Sequence, residues 1–272
     1  MPRKGAPPVV LSIAGSDPSG GAGIQADLKT FHAFGYYGEA VLTALTVQNT
    51  RGVTGVHAIP AAFVARQIEA VLDDIPPAAT KTGMLATKRL VETVARVLKA
   101  RRVRKLVVDP VMVSTTGHRL LDRGAERAIR ERLLPLAAIV TPNLPEAEVL
   151  SGVRIKDDDS AVDAGRRLLD MGAKAALVKG GHGKGPQVHD VLVEKDVVTV
   201  FSNPRLRTRS THGTGCTLSA ALACGFARGL VPSMATETAV WFVHRAIREA
   251  PGFGKGRGPV SHLSLDWDWN RA

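Results

Sequence analysis

The sequence of 272 residues has few cysteines, few aromatic residues and no long apolar run, and these shortages exclude several classes of protein. Its two cysteines, Cys216 and Cys224, cannot build a disulfide framework, and on one helix they would lie about 12 Å apart. A reducing, cytoplasmic setting is therefore expected. No run of about 18 apolar residues predicts a membrane span. Residues 1–8 lack the apolar segment of a signal peptide.

Acidic residues are also scarce relative to basic ones. The chain has 25 Asp and Glu against 36 Lys and Arg, a formal net charge of +11. The excess is concentrated in residues 88–132, where 13 basic and 5 acidic residues give a net charge of +8. Such a charge raises the hypothesis of a nucleic-acid-binding protein. That hypothesis predicts binding that weakens steeply with salt and no turnover of ATP.

The remaining composition is that of an ordinary globular protein. Hydrophobic residues make up 44% of the chain and charged residues 22%, which predicts a sizeable core and argues against global disorder. No internal repeat, low-complexity stretch or linker divides the sequence. We therefore expect a single domain over residues 1–272.

Short apolar runs alternate with helical periods along most of the chain. Residues 9–14 read VVLSIA, which is typical of a strand buried on both faces, and Ile24, Leu28 and Phe31 then follow at helical spacing. This alternation predicts a mostly parallel sheet with helices on both faces. Further strands are predicted at residues 41–47, 105–109, 138–141 and 175–179, and helices at 87–100, 124–134, 161–171, 214–228 and 233–249, with one more beginning at Pro60.

Two apolar runs late in the chain break this rhythm. Residues 188–193 and 197–201 flank the polar triplet 194–196, a pattern that predicts an antiparallel hairpin at the edge of the sheet. In parallel sheets, ligands bind beyond the carboxyl ends of the strands. The functional residues should therefore lie where the strands end.

The segment STHGTGCT at residues 210–217 predicts an anion site. Gly213 and Gly215 leave backbone N–H groups bare where an apolar helix begins. Cys216 falls in the first turn of this helix, a position that is expected to lower the pKa of its thiol. The alternative is a glycine-rich turn followed by a small buried cysteine.

Three other predicted strands end in polar residues that suit phosphate chemistry. Asp109 ends one strand, Lys179 ends another, and Asn143 and Glu146 begin the helix after a third. Carboxylate and amide oxygens are ligands for Mg²⁺, although Asn143 and Glu146 also fit a simple helix cap. Together with the anion site, these residues supply the charge clamps that phosphoryl transfer requires.

A second group of residues suits an organic acceptor. The amide of Gln48 offers a donor beside an acceptor, which matches the edge of an aminopyrimidine, although a turn-capping role is an alternative. Met84 could form an apolar wall or fill the core. Asp27 could bind a polar ligand group or serve as an ordinary charge near the start of a helix.

Two nucleotide-binding motifs are weak or missing. Residues 21–26 fit the loose dinucleotide pattern, but the second predicted strand ends in Gln48 and Asn49 and lacks the expected acidic residue. A dinucleotide oxidoreductase is therefore disfavoured, and these glycines suit a flap over a small ligand. No Walker-type loop occurs, because neither Gly183-Lys184 nor Gly254-Lys255 is followed by Ser or Thr.

Seven segments, taken together, resemble a known family. They read AGSDPSGGAGIQADLKTF, ALTVQNTRGV, KTGML, VVDPVMVSTTG, TPNLPEAEVLSG, LVKGGH and STHGTGCTLSAALA, in order between residues 9 and 224. The chain thus resembles the hydroxymethylpyrimidine/phosphomethylpyrimidine kinases of thiamine biosynthesis, which belong to the ribokinase-like superfamily. The resemblance implies a three-layer α/β fold and phosphorylation by ATP, first of 4-amino-5-hydroxymethyl-2-methylpyrimidine and then of its monophosphate. A pyridoxal kinase on the same fold is the closest alternative, and Gln48 favours the pyrimidine.

The resemblance also implies a role for each matched residue, and it suggests a homodimer. The anion hole would comprise Gly213, Thr214, Gly215 and Cys216, with Cys216 deprotonating or orienting the attacking hydroxyl. The pyrimidine would contact Gln48, Asp27, Ala22, Met84 and Val111. Lys179, Asn143 and Thr211 would bind ATP and its phosphates, and Asp109 and Glu146 would bind Mg²⁺.

One departure concerns a phosphate-contacting lysine. Many relatives carry Ala-Lys after the Asp-Pro-Val-Met-Val segment, whereas this chain has residues 114–116, Ser-Thr-Thr. Lys179 or a mobile arginine is expected to take over that role.

Overall fold

The computed structural model describes residues 5–114, 117–183 and 185–263, and its described strands form two separate sheets. The strands are β1 Val9–Ala14, β2 Tyr37–Leu42, β3 Ala44–Asn49, β4 Gly52–Ala58, β5 Ala79–Thr82, β6 Leu106–Val108, β7 Ile139–Val140, β8 Ala176–Val178, β9 Gln187–Val193 and β10 Val198–Pro204. The α-helices are α1 Gly23–Ala33, α2 Ala61–Asp74, α3 Lys88–Ala100, α4 Ala125–Ala128, α5 Leu144–Ser151, α6 Asp158–Asp170, α7 Thr214–Arg228 and α8 Pro232–Arg248.

The central sheet has eight strands in the order β10-β9-β8-β7-β6-β5-β1-β2. Six neighbouring strands of this sheet pair in parallel, namely β8, β7, β6, β5, β1 and β2. Strands β9 and β10 join antiparallel at one edge. The predicted mostly parallel sheet and its antiparallel edge hairpin are therefore confirmed. Since parallel strands run in one direction, their carboxyl ends meet along one edge of the sheet.

Helices cover both faces of the central sheet, because its strands alternate their side chains between two apolar cores. Val10 and Val107 face the core that α1, α7 and α8 complete. Ile13 and Val108 face the other core, which α2, α3 and α4 complete. The three-layer α/β arrangement is thus confirmed. Among the described residues, no helix combines the length and the apolar character that a membrane span requires.

The predicted strand at residues 41–47 is wrong, because the chain leaves the central sheet at Thr43. The backbone N–H of Thr43 donates to Ala14 O at 3.0 Å, and its hydroxyl donates to Met84 O at 2.6 Å. These bonds anchor the turn, after which β3 pairs antiparallel with β4 as a two-stranded ribbon. The mostly apolar residues 41–47 give no sign of this change of sheet. The sequence also did not predict strands β4 and β5.

The predicted helix at residues 124–134 is also shorter and less regular than expected. Only Ala125–Ala128 is α-helical, and it continues into a π-helical turn at Ile129–Leu133 and a 3₁₀ turn at Leu134–Leu136. Pro135 lacks the backbone N–H that an α-helix would need there. The other predicted helices agree with the structure to within a few residues, and α7 matches its prediction at both ends.

Candidate active site

The strand ends bring the predicted phosphate-binding residues together. Asp109 follows β6, Asn143 follows β7 and Lys179 follows β8, and the side chains of Asp109 and Lys179 lie beside Gly215 at the beginning of α7. Lys179 Nζ lies 2.9 Å from Asp109 Oδ1. A Cβ atom placed on Gly215 would lie 3.3 Å from Lys179 Nζ and 3.7 Å from Asp109 Oδ2. The bare backbone of α7 therefore directly abuts this ion pair.

The N-terminus of α7 has the open backbone that an anion hole needs. Gly213 is the N-cap, with φ of 81°, and its side chain position is filled by other backbone, since a Cβ there would overlap Gly21 O. Glycine is thus required both by the left-handed conformation and by the close approach. This contact packs the glycine loop, residues 15–23, against the start of α7.

Cys216 lies in the first turn of α7 with its thiol half-buried, but its predicted low pKa is wrong. Burial raises the pKa of the thiol to about 12, although the charge of Lys81 opposes the rise, and Asp27 and Asp109 add to it. The helix N-terminus stabilises a thiolate by too little to offset the loss of hydration. Cys216 is therefore a neutral thiol in this structure.

Asn143 and Glu146 form the capping box that was the simpler sequence interpretation. The Asn143 side chain accepts a hydrogen bond from Glu146 N at 2.9 Å, and Glu146 Oε2 accepts one from Asn143 N at 3.0 Å. Burial raises the pKa of Glu146 to about 7, a rise that Lys179 opposes and Asp109 reinforces. A capping role and a role toward phosphates are compatible, and the latter stays a prediction.

The side chains around Asp109 could supply only some of the ligands that Mg²⁺ requires. Among the described residues, no three His, Cys, Asp or Glu side chains cluster as a metal site. Asp109 Oδ1 already faces Lys179 and accepts from the Thr141 hydroxyl at 3.3 Å. Magnesium commonly uses one or two carboxylates, with waters and substrate phosphates as its other ligands. Asp109 and Glu146 fit that mode of binding.

The acceptor side of the site contains a chain of polar contacts that the sequence analysis missed. His212 Nε2 lies 2.7 Å from Asp17 Oδ2 and 3.3 Å from Gln48 Nε2. An imidazole N–H that donates to Asp17 cannot also accept from Gln48, so the Gln48 amide keeps a donor for a ligand. His212 belongs to the quoted STHGTGCT segment, and that position was its only signal.

Asp17 organises the glycine loop. Its Oδ2 accepts the backbone N–H groups of Gly21 at 3.2 Å and Ala22 at 2.8 Å, and its Oδ1 accepts from Ser19. Burial would raise the pKa of Asp17, but the hydrogen bonds from His212 and Ser19 outweigh it and hold the pKa below its ordinary value. Ala22, a predicted substrate contact, is thereby fixed in a turn beside His212.

The two predicted apolar walls, Met84 and Val111, lie in different parts of the chain. Met84 is buried, and its sulfur lies 3.2 Å from the position of a Cβ on Gly15. Met84 therefore contacts the base of the glycine loop. Val111 is half-buried after β6, beyond Asp109. Both positions remain predicted contacts of the substrate.

Asp27 lies beneath the site surface rather than on it, contrary to the expectation of an accessible ligand group. Its Oδ2 accepts from the Ser12 hydroxyl at 2.6 Å, and its Oδ1 pairs with Lys81 Nζ at 2.8 Å, with both charged side chains fully buried. Burial disfavours the charged Lys81, but Asp27, Cys216 and Asp109 outweigh it and raise the pKa of Lys81. The two charges of the pair act in opposite directions on Cys216, because Lys81 lowers the pKa of the thiol and Asp27 raises it.

Sequence reasoning assigned no role to Lys81 or Ser12. Lys81 stands in the quoted KTGML segment, and Ser12 is the one polar residue in the first apolar strand. Because a buried hydroxyl requires a hydrogen-bond partner, Ser12 was the one signal in the sequence that a buried polar side chain lies next to β1.

Thr211 connects the start of α7 to the chain after α8. Its hydroxyl accepts from Arg257 Nη1 at 3.4 Å, and its carbonyl accepts from Thr214 Oγ1 at 3.2 Å. The prediction that residues 114–116 supply no phosphate-binding lysine concerns Thr115 and Thr116, which lie outside the described residues.

Comparison with known proteins agrees with this arrangement. The phosphomethylpyrimidine kinase family model matches residues 17–261. The hydroxymethylpyrimidine/phosphomethylpyrimidine kinase of Rhizobium meliloti is 46% identical over 262 residues, covering 95% of this chain and 98% of that protein. The thiamine biosynthesis bifunctional protein ThiED of Geobacter sulfurreducens is 49% identical over 254 residues, covering 93% of this chain, which spans only 52% of that longer protein.

Solved structures give the same result at the level of the fold. An ADP complex of Bacillus subtilis pyridoxal kinase has a TM-score of 0.87 at 36% identity, covering 94% of this chain and 98% of that one. The phosphomethylpyrimidine kinase of Clostridium difficile 630 has a TM-score of 0.79 at 42% identity, covering 88% of this chain and 99% of that one. With its ribokinase-like fold and a family match across nearly its whole length, the chain belongs to the phosphomethylpyrimidine kinase family.

Proposed function

We propose that this protein phosphorylates 4-amino-5-hydroxymethyl-2-methylpyrimidine with ATP and then phosphorylates the monophosphate to the diphosphate. The observation that carries the proposal is the convergence, at one edge of the sheet, of the bare N-terminus of α7, the Lys179–Asp109 pair and the Gln48–His212 contact. The N-terminus of α7 suits a transferring phosphoryl group, and the Lys179–Asp109 pair suits the polyphosphate of ATP. The Gln48–His212 contact suits a polar heteroaromatic ring.

On the donor side, each residue supplies charge or position. Backbone N–H groups at residues 213–216 would bind the transferring phosphoryl group, and Thr214 would add its hydroxyl. Lys179 would exchange part of its contact with Asp109 for the phosphates of ATP, assisted by Asn143 and Thr211. Asp109 and Glu146 would hold Mg²⁺, which when bound neutralises phosphate charge.

On the acceptor side, Gln48 would pair with the ring nitrogen and the exocyclic amine of the pyrimidine. Ala22, Met84 and Val111 would contact the apolar parts of the ring. Asp27 would act through Lys81, which it fixes beneath the pocket. The glycine loop, held by Asp17 and His212, would exclude water from the phosphoryl group as a lid.

Cys216 would orient the attacking hydroxyl rather than remove its proton as a resting thiolate. Its pKa of about 12 leaves almost no thiolate at neutral pH. Phosphoryl transfer passes through a loose transition state, in which the nucleophile needs little activation and much positioning. The hydroxyl oxygen forms its bond to the γ-phosphorus as the bond between that phosphorus and the leaving oxygen of ADP breaks, and the hydroxyl proton passes to an oxygen of the transferred phosphoryl group.

The decisive experiment is release of ADP measured with the pyrimidine alcohol, its monophosphate and pyridoxal in parallel. Turnover of both pyrimidines, with pyridoxal the poorer acceptor, is expected. Turnover of pyridoxal alone would establish the alternative that the pyridoxal kinase fold neighbours suggest. Absence of turnover with either pyrimidine would contradict the proposal.

Gln48→Ala tests the assignment of the acceptor pocket. Loss of its amide should raise KM for the pyrimidine alcohol by about tenfold with a smaller change in kcat, because a ligand edge loses its hydrogen bonds. KM for ATP is the internal control and should stay the same. An unaltered KM for the alcohol would remove Gln48 from the pocket.

We further propose a cytoplasmic homodimer that binds small molecules and neither nucleic acid nor membranes. The β3–β4 ribbon supports self-association because it exposes apolar side chains on both of its faces. Leu45 and Val47 on one face are exposed by 45% and 65%, and Val56 on the other face is exposed by 40%. Sedimentation equilibrium should give twice the mass of the chain. A monomer at micromolar concentration would contradict the dimer.

A further inference from the structure

An open basic pocket lies beside the candidate active site and has no role in the arrangement described so far. Its volume is about 620 Å³. Three stretches of chain that are far apart in sequence line it: Thr50 and Arg51, Thr208 and Arg209, and Lys255, Gly256 and Arg257. We call this the basic pocket.

Backbone contacts hold the pocket's segments together. Arg257 N donates to Thr50 O at 2.8 Å, and Gly256 N donates to Thr50 Oγ1 at 3.3 Å. A Cβ on Gly256 would overlap the Thr50 carbonyl, so the two stretches pack at backbone distance. The chain after α8 is thereby fixed to the tip of the β3–β4 ribbon, and the cations it carries are held in place with it.

The pocket concentrates positive charge without compensation. Arg51, Arg209, Lys255 and Arg257 are all exposed, and no acidic side chain lines the pocket. Within the described parts of the chain, none of the four forms an ion pair with a carboxylate. Four like charges around one cavity repel each other, and a bound anion relieves that repulsion.

The two threonines add hydrogen-bond donors of the kind that a phosphate accepts. Thr50 Oγ1 accepts from Gly256 N, and Thr208 Oγ1 accepts from Ser210 N at 3.0 Å. Each hydroxyl therefore uses a lone pair on the protein and retains its own proton for a ligand. Guanidinium groups beside hydroxyl donors are typical of phosphate recognition.

The basic pocket adjoins both halves of the site. Arg257 Nη1 donates to Thr211 Oγ1, two residues before the anion hole begins at Gly213. On the acceptor side, Thr50 follows Gln48 by two residues on the same ribbon. The pocket thus lies where a group attached to the acceptor would emerge toward the transferring phosphoryl group.

We propose that the basic pocket binds the phosphate of the phosphorylated acceptor during the second transfer. This inference rests on the proposed function. The alcohol of the first transfer is neutral and needs no cation, whereas the monophosphate of the second is an anion that must approach the triphosphate of ATP. In the proposed arrangement Lys179 is shared between Asp109 and the phosphates of ATP, and the anion hole holds the transferring group. The four basic side chains supply the missing positive charge.

The test compares the two acceptors in the double variant Arg51→Ala/Arg209→Ala. The ratio of kcat/KM for the monophosphate to kcat/KM for the alcohol should fall at least about tenfold, because two charge-assisted contacts to phosphate are lost. Arg96→Ala removes an exposed arginine on α3, which does not line the basic pocket, and should leave the ratio as in the wild type. Replacing Arg209 by lysine instead of alanine, in Arg51→Ala/Arg209→Lys, retains one charge and should give a ratio between those of the double alanine variant and the wild type.

Two results would overturn the inference. One is an unchanged ratio together with an unchanged KM for ATP, which would leave the pocket without a role in either transfer. The other is an unchanged ratio together with a raised KM for ATP, which would assign the pocket to the nucleotide. Calorimetric titration with the monophosphate, without ATP, decides the question even if neither acceptor is turned over. In that case, weaker binding of the monophosphate by the double variant than by the wild type supports the proposed role of the pocket. Equal affinity of the two proteins contradicts it, and so does a failure of the wild type to bind the monophosphate.

Discussion

At the scale of single residues, Cys216 distinguishes two ways of handling the attacking hydroxyl. If a neutral thiol orients the hydroxyl, Cys216→Ala should lower kcat by at least about tenfold, whereas Cys216→Ser should retain much of the activity because a serine hydroxyl offers a similar hydrogen bond. If a thiolate were the base, serine would be as poor as alanine. Steady-state kinetics of both variants, at pH 7 and pH 9, provide the comparison.

The buried pair Lys81–Asp27 allows a second prediction at this scale. Lys81→Met leaves the Asp27 carboxylate without its partner in a fully buried position, and the free energy of unfolding should fall by about 3–5 kcal/mol. Adding Asp27→Asn removes the uncompensated charge and should recover a large part of that loss. Urea unfolding measures both effects, with Lys99→Met on the exposed face of α3 as the control. A loss below about 1 kcal/mol for Lys81→Met would show that the pair contributes little.

Residue types at strand ends predicted which side chains come together at the proposed phosphate-binding side of the site. Asp109, Lys179 and the glycines of α7 meet as expected, because a parallel sheet brings strand ends together whatever their separation in sequence. The Lys81–Asp27 pair was not predictable in the same way. Its members lie 54 residues apart, and a buried ion pair has no local pattern in sequence. Sequence also does not reveal how deeply a thiol at a helix N-terminus is buried. At Cys216, burial raises the pKa of the thiol by more than the helix N-terminus lowers it.

At the scale of elements, helix α7 ends at both termini in a glycine with positive φ, and the two glycines should respond differently to alanine. Gly213 has φ of 81° and faces the carbonyl of Gly21, whereas Gly229 has φ of 93° and open space around it. Gly229→Ala should cost about 1–2 kcal/mol of stability, the strain of the left-handed conformation, and leave kcat/KM close to that of the wild type.

Gly213→Ala adds a collision with backbone to that strain. The glycine loop must move away from α7, so kcat/KM should fall at least about tenfold beyond any loss of stability. Unfolding curves and kinetics of the two variants, recorded together, separate these contributions. Equal kinetic effects at Gly213 and Gly229 would mean that contact between the loop and the helix has no catalytic importance.

Element prediction succeeded where one periodicity dominates. The hairpin β9–β10 and helix α7 stand out because their patterns are uninterrupted. The change of sheet at Thr43 was missed because residues 41–47 are apolar except for two threonines, which are common in strands. The turn is determined by hydrogen bonds from Thr43 to Ala14 and Met84, which lie elsewhere in the chain. Strand β5 was missed because ATKT is polar in composition, although all four residues are buried in the sheet.

At the scale of the whole molecule, the positive charge has two distinct meanings. Much of it belongs to residues 88–132, a range that includes helices α3 and α4. The four cations of the basic pocket, by contrast, come from three segments that only the folded chain assembles. Net charge alone suggested nucleic acid as a partner, whereas the placement of those cations beside the anion hole favours a phosphorylated small molecule. Composition could not distinguish these possibilities, because it carries no information about distance.

Global stability should depend on pH through carboxyl groups that burial makes hard to ionise. Burial, reinforced by Asp74, raises the pKa of Glu39 from 4.5 to about 7, and Glu39 Oε2 is buried without a hydrogen-bond partner among the described residues. A raised pKa means that the folded chain holds a proton which the unfolded chain releases, so stability falls as pH rises from about 4.5 to 7. Glu146 should act in the same direction.

Glu39→Gln tests this pH dependence because it keeps the shape of the side chain and removes its charge. At pH 8 the variant should be more stable than the wild type by at least about 1 kcal/mol, because one pKa unit corresponds to about 1.4 kcal/mol and the shift of Glu39 exceeds one unit. At pH 4.5 the difference should largely vanish. Urea unfolding across that range provides the measurement, and Glu237→Gln on the exposed face of α8 is the matched control. A constant difference between Glu39→Gln and the wild type at every pH would mean that Glu39 acts through packing, since only a group that ionises differently in the folded and unfolded chains can change the slope.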